Sequence, residues 1–278
     1  MKLTGIEVHT GNSSDITLFS FRDPKAINPY NVKGIDGLDA ASIIPQYYGS
    51  VGSDKYYTLS LEKRDIVIKV GLNPNFSQNL SYSDLRDALY KKISSSRTGK
   101  LTLQFMNGSE VIAGISGFVS KFESAHFERL QEVQITLLCD EPMLKALTPT
   151  IIGVSELNPL RTVIRDDEST APHGFSFIAD ISAGPGIPNF TLSDPNDDWV
   201  FDLEPVGGFL TGDALYFSSD YNRYVYIIRN GVTIYLADAI VPGSVWPLIF
   251  PGDNVFSFST PNNISWRAIS YYPTYWGV

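Results

Sequence analysis

The densest run of groups able to do chemistry is Asp194-Pro-Asn-Asp-Asp198, followed by Asp202 and Glu204. Carboxylates this close could hold Ca²⁺ or work as a general acid/base pair. Counted from Asp194, an EF-hand needs glycine at its sixth position and glutamate at its twelfth, where this chain has Trp199 and Pro205. A glycosidase pair needs a second carboxylate brought opposite across a cleft, and the sequence gives no sign of one. The run therefore reads as a solvated turn before a strand.

The other candidates are sparser. His9, His126 and His173 stand far apart, and Cys139 has no second cysteine with which to complete a zinc set. Cys139 closes an apolar stretch and reads as a buried, unreactive thiol. No Gly-x-Ser-x-Gly elbow occurs, and Gly34-Ile-Asp-Gly37 and Gly184-Pro-Gly186 fit neither a P-loop nor a dinucleotide turn. The expectation is a non-catalytic protein with no cofactor and no metal. Trp199, Tyr221, Trp246 and Trp266 could stack on sugar rings, but large aromatics in a β-sandwich more often fill its core.

A formal charge of −9 argues against binding nucleic acid over a basic face, although DNA could still pass nearby. About −7 of it falls after His173, and no lysine follows Lys145. The first ten residues carry no apolar signal-peptide core, and no apolar run approaches a membrane span. The reading is a soluble chain without an export signal and without a membrane partner.

Elements able to position these residues are mainly β. In the first part, Lys63-Arg-Asp-Ile-Val-Ile-Lys-Val70, Leu101–Phe105, Val111–Val119 and Glu132–Leu138 read as strands. Asn107-Gly108 suggests a type I′ turn joining the middle two. One helix is expected over about 83–94, with Tyr82, Leu85, Leu89 and Ile93 on one stripe and a serine as N-cap. Residues 146–172, ending in the polar run Arg165–Pro172, read as a linker. After it lie 21 of the 35 aromatics, and short apolar and aromatic runs stand at 174–178, 199–203, 214–217, 224–228, 232–236, 254–258 and 264–269. Turn signals separate these runs, as in a jelly-roll or galectin-like sandwich. The expected layout is an N-terminal β-sandwich or barrel domain with one helix (1–147), a linker (148–172), and a C-terminal galectin-like β-sandwich (173–278).

One ordered set of motifs is more specific. Gly212-Asp213 opens a strand, and Asn230-Gly231 forms a hairpin. Ser244-Val-Trp246-Pro-Leu-Ile-Phe-Pro251-Gly252-Asp-Asn254 then opens a strand ending in Phe-Ser-Phe258. In that order they resemble the C-terminal domain of siphophage distal tail (Dit family) proteins, with one extra residue before Pro251. The remainder, up to Leu137-Leu-Cys-Asp-Glu-Pro142, agrees more loosely. The resemblance implies a hexameric ring at the distal end of a phage tail, in the virion. It would join the tail tube protein to a tail-associated hub protein, with receptor-binding or side-fibre proteins around it and DNA passing through its lumen. The alternative reading is a carbohydrate-binding module that aids host attachment. A glycan hydrolase using Asp197 or Asp198 is a distant third.

Overall fold

The computed structural model describes residues 3, 5–9, 16–20, 29–39, 43–47, 57–74, 80–94, 99–108, 110–124, 132–153, 161–182, 190–193, 200–258 and 264–277. The chain is mainly β and divides into two units. One comprises residues 1–147 with 275–278, the other residues 148–274.

In the first unit β1 (Gly5–His9), β2 (Ile16–Ser20), β3 (Tyr30–Asp36), β4 (Ile43–Tyr47), β5 (Tyr57–Leu61) and β6 (Arg64–Leu72) precede helix α1 (Tyr82–Ser94). Then come β7 (Leu101–Asn107), β8 (Glu110–Ser124), β9 (Glu132–Cys139) and β10 (Leu144–Lys145). The main sheet runs β2-β1-β7-β8-β9-β6-β3, with β10 beside β8, and β4 and β5 form a separate pair. Alternation sets the faces. Ile66, Ile68 and Val70 of β6 and Val133, Ile135 and Leu137 of β9 point inward, while Asp65 and Lys69 point outward.

Leu85, Leu89 and Ile93, spaced by four, bury one stripe of α1 in the same core. Ser81 starts the helix through a reciprocal cap: its Oγ accepts the Asp84 N–H at 3.2 Å, and Asp84 Oδ2 accepts the Ser81 N–H at 2.9 Å. The hairpin between β7 and β8 differs from expectation. Asn107 pairs with Glu110 as the last residue of β7, so the turn begins at Gly108, one position later. Gly108 has φ 81°, whereas Asn107 keeps an ordinary strand conformation.

The second unit holds β11 (Thr150–Ile152), β12 (Thr162–Asp166), β13 (Phe175–Ile181), β14 (Phe190–Ser193), β15 (Val200–Leu203) and β16 (Ala214–Ser218). β17 (Tyr224–Arg229), β18 (Val232–Tyr235), β19 (Gly252–Phe258) and β20 (Ile264–Tyr271) follow. A six-stranded antiparallel sheet, β11-β20-β13-β16-β17-β18, shares one core with a four-stranded sheet, β12-β19-β14-β15. That is a β-sandwich. Its interior is aromatic: Phe175, Phe177 and Phe217 from the first sheet meet Phe201 and Phe256 from the second.

Residues 148–172 are more than a linker, because β11 pairs with β20 and β12 with β19. The polar run conceals an alternation in which Thr162, Ile164 and Asp166 are buried and Val163 and Arg165 exposed. The chain's last strand, β21 (Thr274–Tyr275), pairs with β10, so residues 275–278 belong to the first unit rather than ending the second.

Candidate functional site

The motif residues fall into two turn-locking clusters within the second unit. In the first, Gly212 at φ 91° turns the chain into β16 and donates its N–H to Ile181 O at 2.9 Å. Asp213 follows with its side chain 1% exposed and receives a fork from Arg229, Nε to Oδ1 at 2.8 Å and Nη2 to Oδ2 at 2.6 Å. The Leu210 N–H adds a third bond to Oδ2 at 2.8 Å, and Arg229 Nη2 also donates to Gly208 O at 2.9 Å. Burial opposes the charge on Asp213, but the bonds from Arg229 and Leu210 outweigh it and hold the carboxyl below the usual carboxylate range. Arg229 in turn precedes Asn230 and Gly231, at φ 51° and 78°, the two positive angles of a type I′ turn.

The second cluster closes the turn before β19. Asn254 Oδ1 accepts the Phe250 N–H at 2.8 Å, and Nδ2 donates to Phe250 O at 2.6 Å, Gly252 O at 3.0 Å and Ile164 O at 3.4 Å. Pro251 and Gly252, the latter at φ 98°, shape that turn. Trp246 belongs to neither cluster. Its ring lies 4.8 Å from Phe201 and 5.5 Å from Phe217, with the Arg223 guanidinium 5.7 Å over it. Trp266 is buried edge-on to Phe177, whereas Tyr221 is exposed. Asp194, Asp197, Asp198, Trp199, His126 and Gly184-Pro-Gly186 lie outside the described residues. Asp202 is half-buried, and burial followed by Glu204 raises its carboxyl above the usual range.

Sequence reasoning missed the most buried polar pair. His173 Nε2 sits 2.8 Å from Asp166 Oδ2 and Nδ1 sits 3.0 Å from Gly174 O, while its ring stacks on Tyr271 at 5.0 Å. Asp166 Oδ1 also accepts the Ser169 N–H at 3.1 Å. Burial works against the Asp166 charge, but the bonds from Ser169 and His173 prevail and lower its carboxyl. An Asp-His pair suggests acyl transfer, yet both ring nitrogens are already engaged, so neither is left to activate a hydroxyl or thiol. No spacing signal in the sequence marks this pair. Among the described residues, no group of three His, Cys, Asp or Glu could hold a metal. Burial pushes the Cys139 thiol up to about 12, which keeps it protonated and unreactive near neutral pH.

No protein-family model and no curated protein sequence matches the chain. Among solved structures it is similar to the Dit protein of phage SPP1, a hub of the adsorption apparatus in phages that infect Gram-positive bacteria. The TM-score is 0.58 at 13% identity, covering 88% of this chain and 93% of that one. The phage P2 baseplate in its activated conformation with Ca is similar at a TM-score of 0.47 and 10% identity over 98% of each chain. At such identities the likeness is one of fold. The chain shares the fold of the SPP1 Dit protein, over a span too long for either unit to supply alone.

Proposed function

We propose that this chain is a structural hub of a siphophage tail tip. Six copies would form a ring that joins the tail tube to the distal tip or baseplate and leaves a channel for DNA. The observation that carries the reading is the fold shared with the SPP1 Dit protein across both units. In this arrangement the first unit closes the ring through heterologous contacts and the second, galectin-like unit serves attachment proteins. The ring's partners are the tail tube protein, a tail-associated hub protein and receptor-binding or side-fibre proteins, and its place is the distal end of the virion.

The role is mechanical rather than catalytic. The buried Cys139 and the fully engaged His173 support that part of the reading. The first unit has 16 basic and 16 acidic residues, so it presents no net positive charge to retain the phosphate backbone of passing DNA. The carbohydrate-binding alternative is weakened, since of its candidate aromatics Trp246 packs on core phenylalanines and Trp266 is buried, while Tyr221 is exposed and Trp199 lies outside the described residues.

Light scattering with negative-stain imaging of the full chain, alone and mixed with the tail tube protein of the same phage, tests the proposal. Six-membered rings with an open centre are expected. A chain that stays monomeric in both conditions, or a ring whose lumen is strongly basic, overturns it.

A further inference from the structure

β18 ends the six-stranded sheet, and among the described residues nothing pairs with its outer side. Natural edge strands usually carry lysine, proline or a bulge that stops another strand from adding. β18 has none of these. Its sequence is Val232-Thr-Ile-Tyr235, every residue is exposed, and its register with β17 is unbroken from Arg229–Val232 to Tyr226–Tyr235.

Antiparallel geometry fixes which backbone groups remain open. The two-residue turn at Asn230-Gly231 makes Arg229–Val232 a hydrogen-bonded pair, and Leu236 N–H donates to Val225 O at 2.9 Å. Pairs alternate between bonded and non-bonded. Val232, Ile234 and Leu236 therefore bond to β17, while the N–H and C=O of Thr233 and Tyr235 face outward.

Beside the strand lies a cleft of about 210 Å³ lined by Pro205, Val206, Ile227, Ile234, Leu236 and Ala239. Val206, at a loop tip on its edge, is fully exposed. A strand added next to β18 would place alternate side chains over this apolar cleft.

Charge identifies the occupant. The second unit has 5 basic against 14 acidic residues, so the whole net charge of −9 lies there. Asp238 lines the cleft, and Glu204 adjoins Pro205, its N–H bonded to Ala239 O at 2.8 Å. The one cation in the lining is Arg229, already forked onto Asp213. A second copy of this unit would bring −9 against −9, and the first unit has no net charge to offer.

We propose that β18 and its cleft capture an extended, lysine- or arginine-bearing strand of a separate protein by strand addition. This interaction stands on the geometry of the second unit and holds whether or not the chain is a tail hub.

Fluorescence anisotropy with two end-blocked octapeptides, one alternating valine and lysine and the other valine and glutamate, tests it on the full chain. The lysine peptide is expected to bind at least about tenfold more tightly, with the preference shrinking as salt rises. Thr233→Pro removes an outward donor without touching a bond to β17 and is expected to weaken binding about tenfold or more. Asp238→Lys is expected to weaken it about threefold or more through charge alone. Should Thr233→Pro fail to fold, hydrogen exchange on the unaltered protein decides. Added lysine peptide should slow exchange at Thr233 and Tyr235 and leave Val232 and Ile234 unchanged. Equal binding of the two peptides, binding of neither at millimolar concentration, no new protection at Thr233 and Tyr235, or self-association abolished by Thr233→Pro overturns the proposal.

Discussion

The two units reach stability by different means. The first is electrically balanced and fills its core with aliphatic strands and one helix, and Leu89, Ile66 and Leu103 are almost wholly enclosed. The second carries all the net charge and packs phenylalanines face to face, as in Phe177 and Phe217 at 4.8 Å. Its own repulsion must then be offset locally, and the buried Asp213–Arg229 and Asp166–His173 pairs accept part of that charge into hydrogen-bonded networks. The lesson is that a charged unit adds specific buried polar contacts to its apolar core, whereas a neutral one depends mainly on buried area.

The largest test exchanges a core residue in each unit. Phe217→Ala removes a ring that touches Phe175, Phe177, Phe201 and Trp246, and it is expected to cost about 4 kcal/mol in the second unit. Leu89→Ala should cost the first unit about 3 kcal/mol. Hydrogen exchange followed by mass spectrometry, resolved by segment, reads each loss. If either substitution loosens both units equally, they do not behave as separate stability units.

Next comes the clamp. Asp213→Ala leaves Arg229 and the Leu210 N–H without their acceptor and is expected to cost about 3 kcal/mol, measured by denaturant unfolding. The contrast requires that no surface ion pair of the first unit matches this. Lys69→Ala, which loosens the 3.5 Å contact with Asp36, should change stability by less than about 0.5 kcal/mol. A clamp no costlier than that surface pair would undo the distinction.

How much of this was legible in the sequence follows the same division. In the second unit, period-two runs between glycine and asparagine turns gave away most strands, because half-buried strands with tight connections write both signals plainly. β12 stayed hidden. Its inward position at Asp166 is polar, and only the distant His173 makes burial there tolerable. In the first unit β6 to β9 were readable, while β1 to β5 went unnoticed. Of the site, Gly212-Asp213 and Asn254 were singled out as turn signals, but Arg229's fork across to Asp213 depends on a pairing of β16 with β17 that no local spacing reveals.

Acid separates the units on a smaller scale. Asp166 and Asp213 have lowered carboxyls in the fold, so their contribution is complete above the unfolded value of 3.8 and disappears as pH falls through the folded one. In the described part of the first unit the lowered carboxyl is Asp84, fully at the surface in the helix cap. As pH drops below about 4, exchange protection should therefore fail in the second unit first. On the alkaline side the order is expected to reverse, because the Cys139 thiol departs from a lower unfolded value, 9.0, than the Tyr271 hydroxyl, 10.0. Burial raises Cys139 in the first unit and Tyr271 in the second to about 12, and both contributions vanish as pH climbs from the unfolded value toward that point. Simultaneous acid loss in both units would remove the buried carboxylates as the explanation.

The smallest effect is the most selective, because it compares one dipeptide in two settings. Asn230 lies in the left-handed region at φ 51°, which asparagine tolerates better than alanine. Asn107, also followed by glycine, is the last paired residue of β7 and needs no such tolerance. Asn230→Ala should cost about 0.5 kcal/mol and Asn107→Ala close to none, measured as shifts in denaturant midpoint at unchanged slope. Equal costs would mean that the two turns share one geometry, and the one-residue displacement of the first hairpin would have to be abandoned.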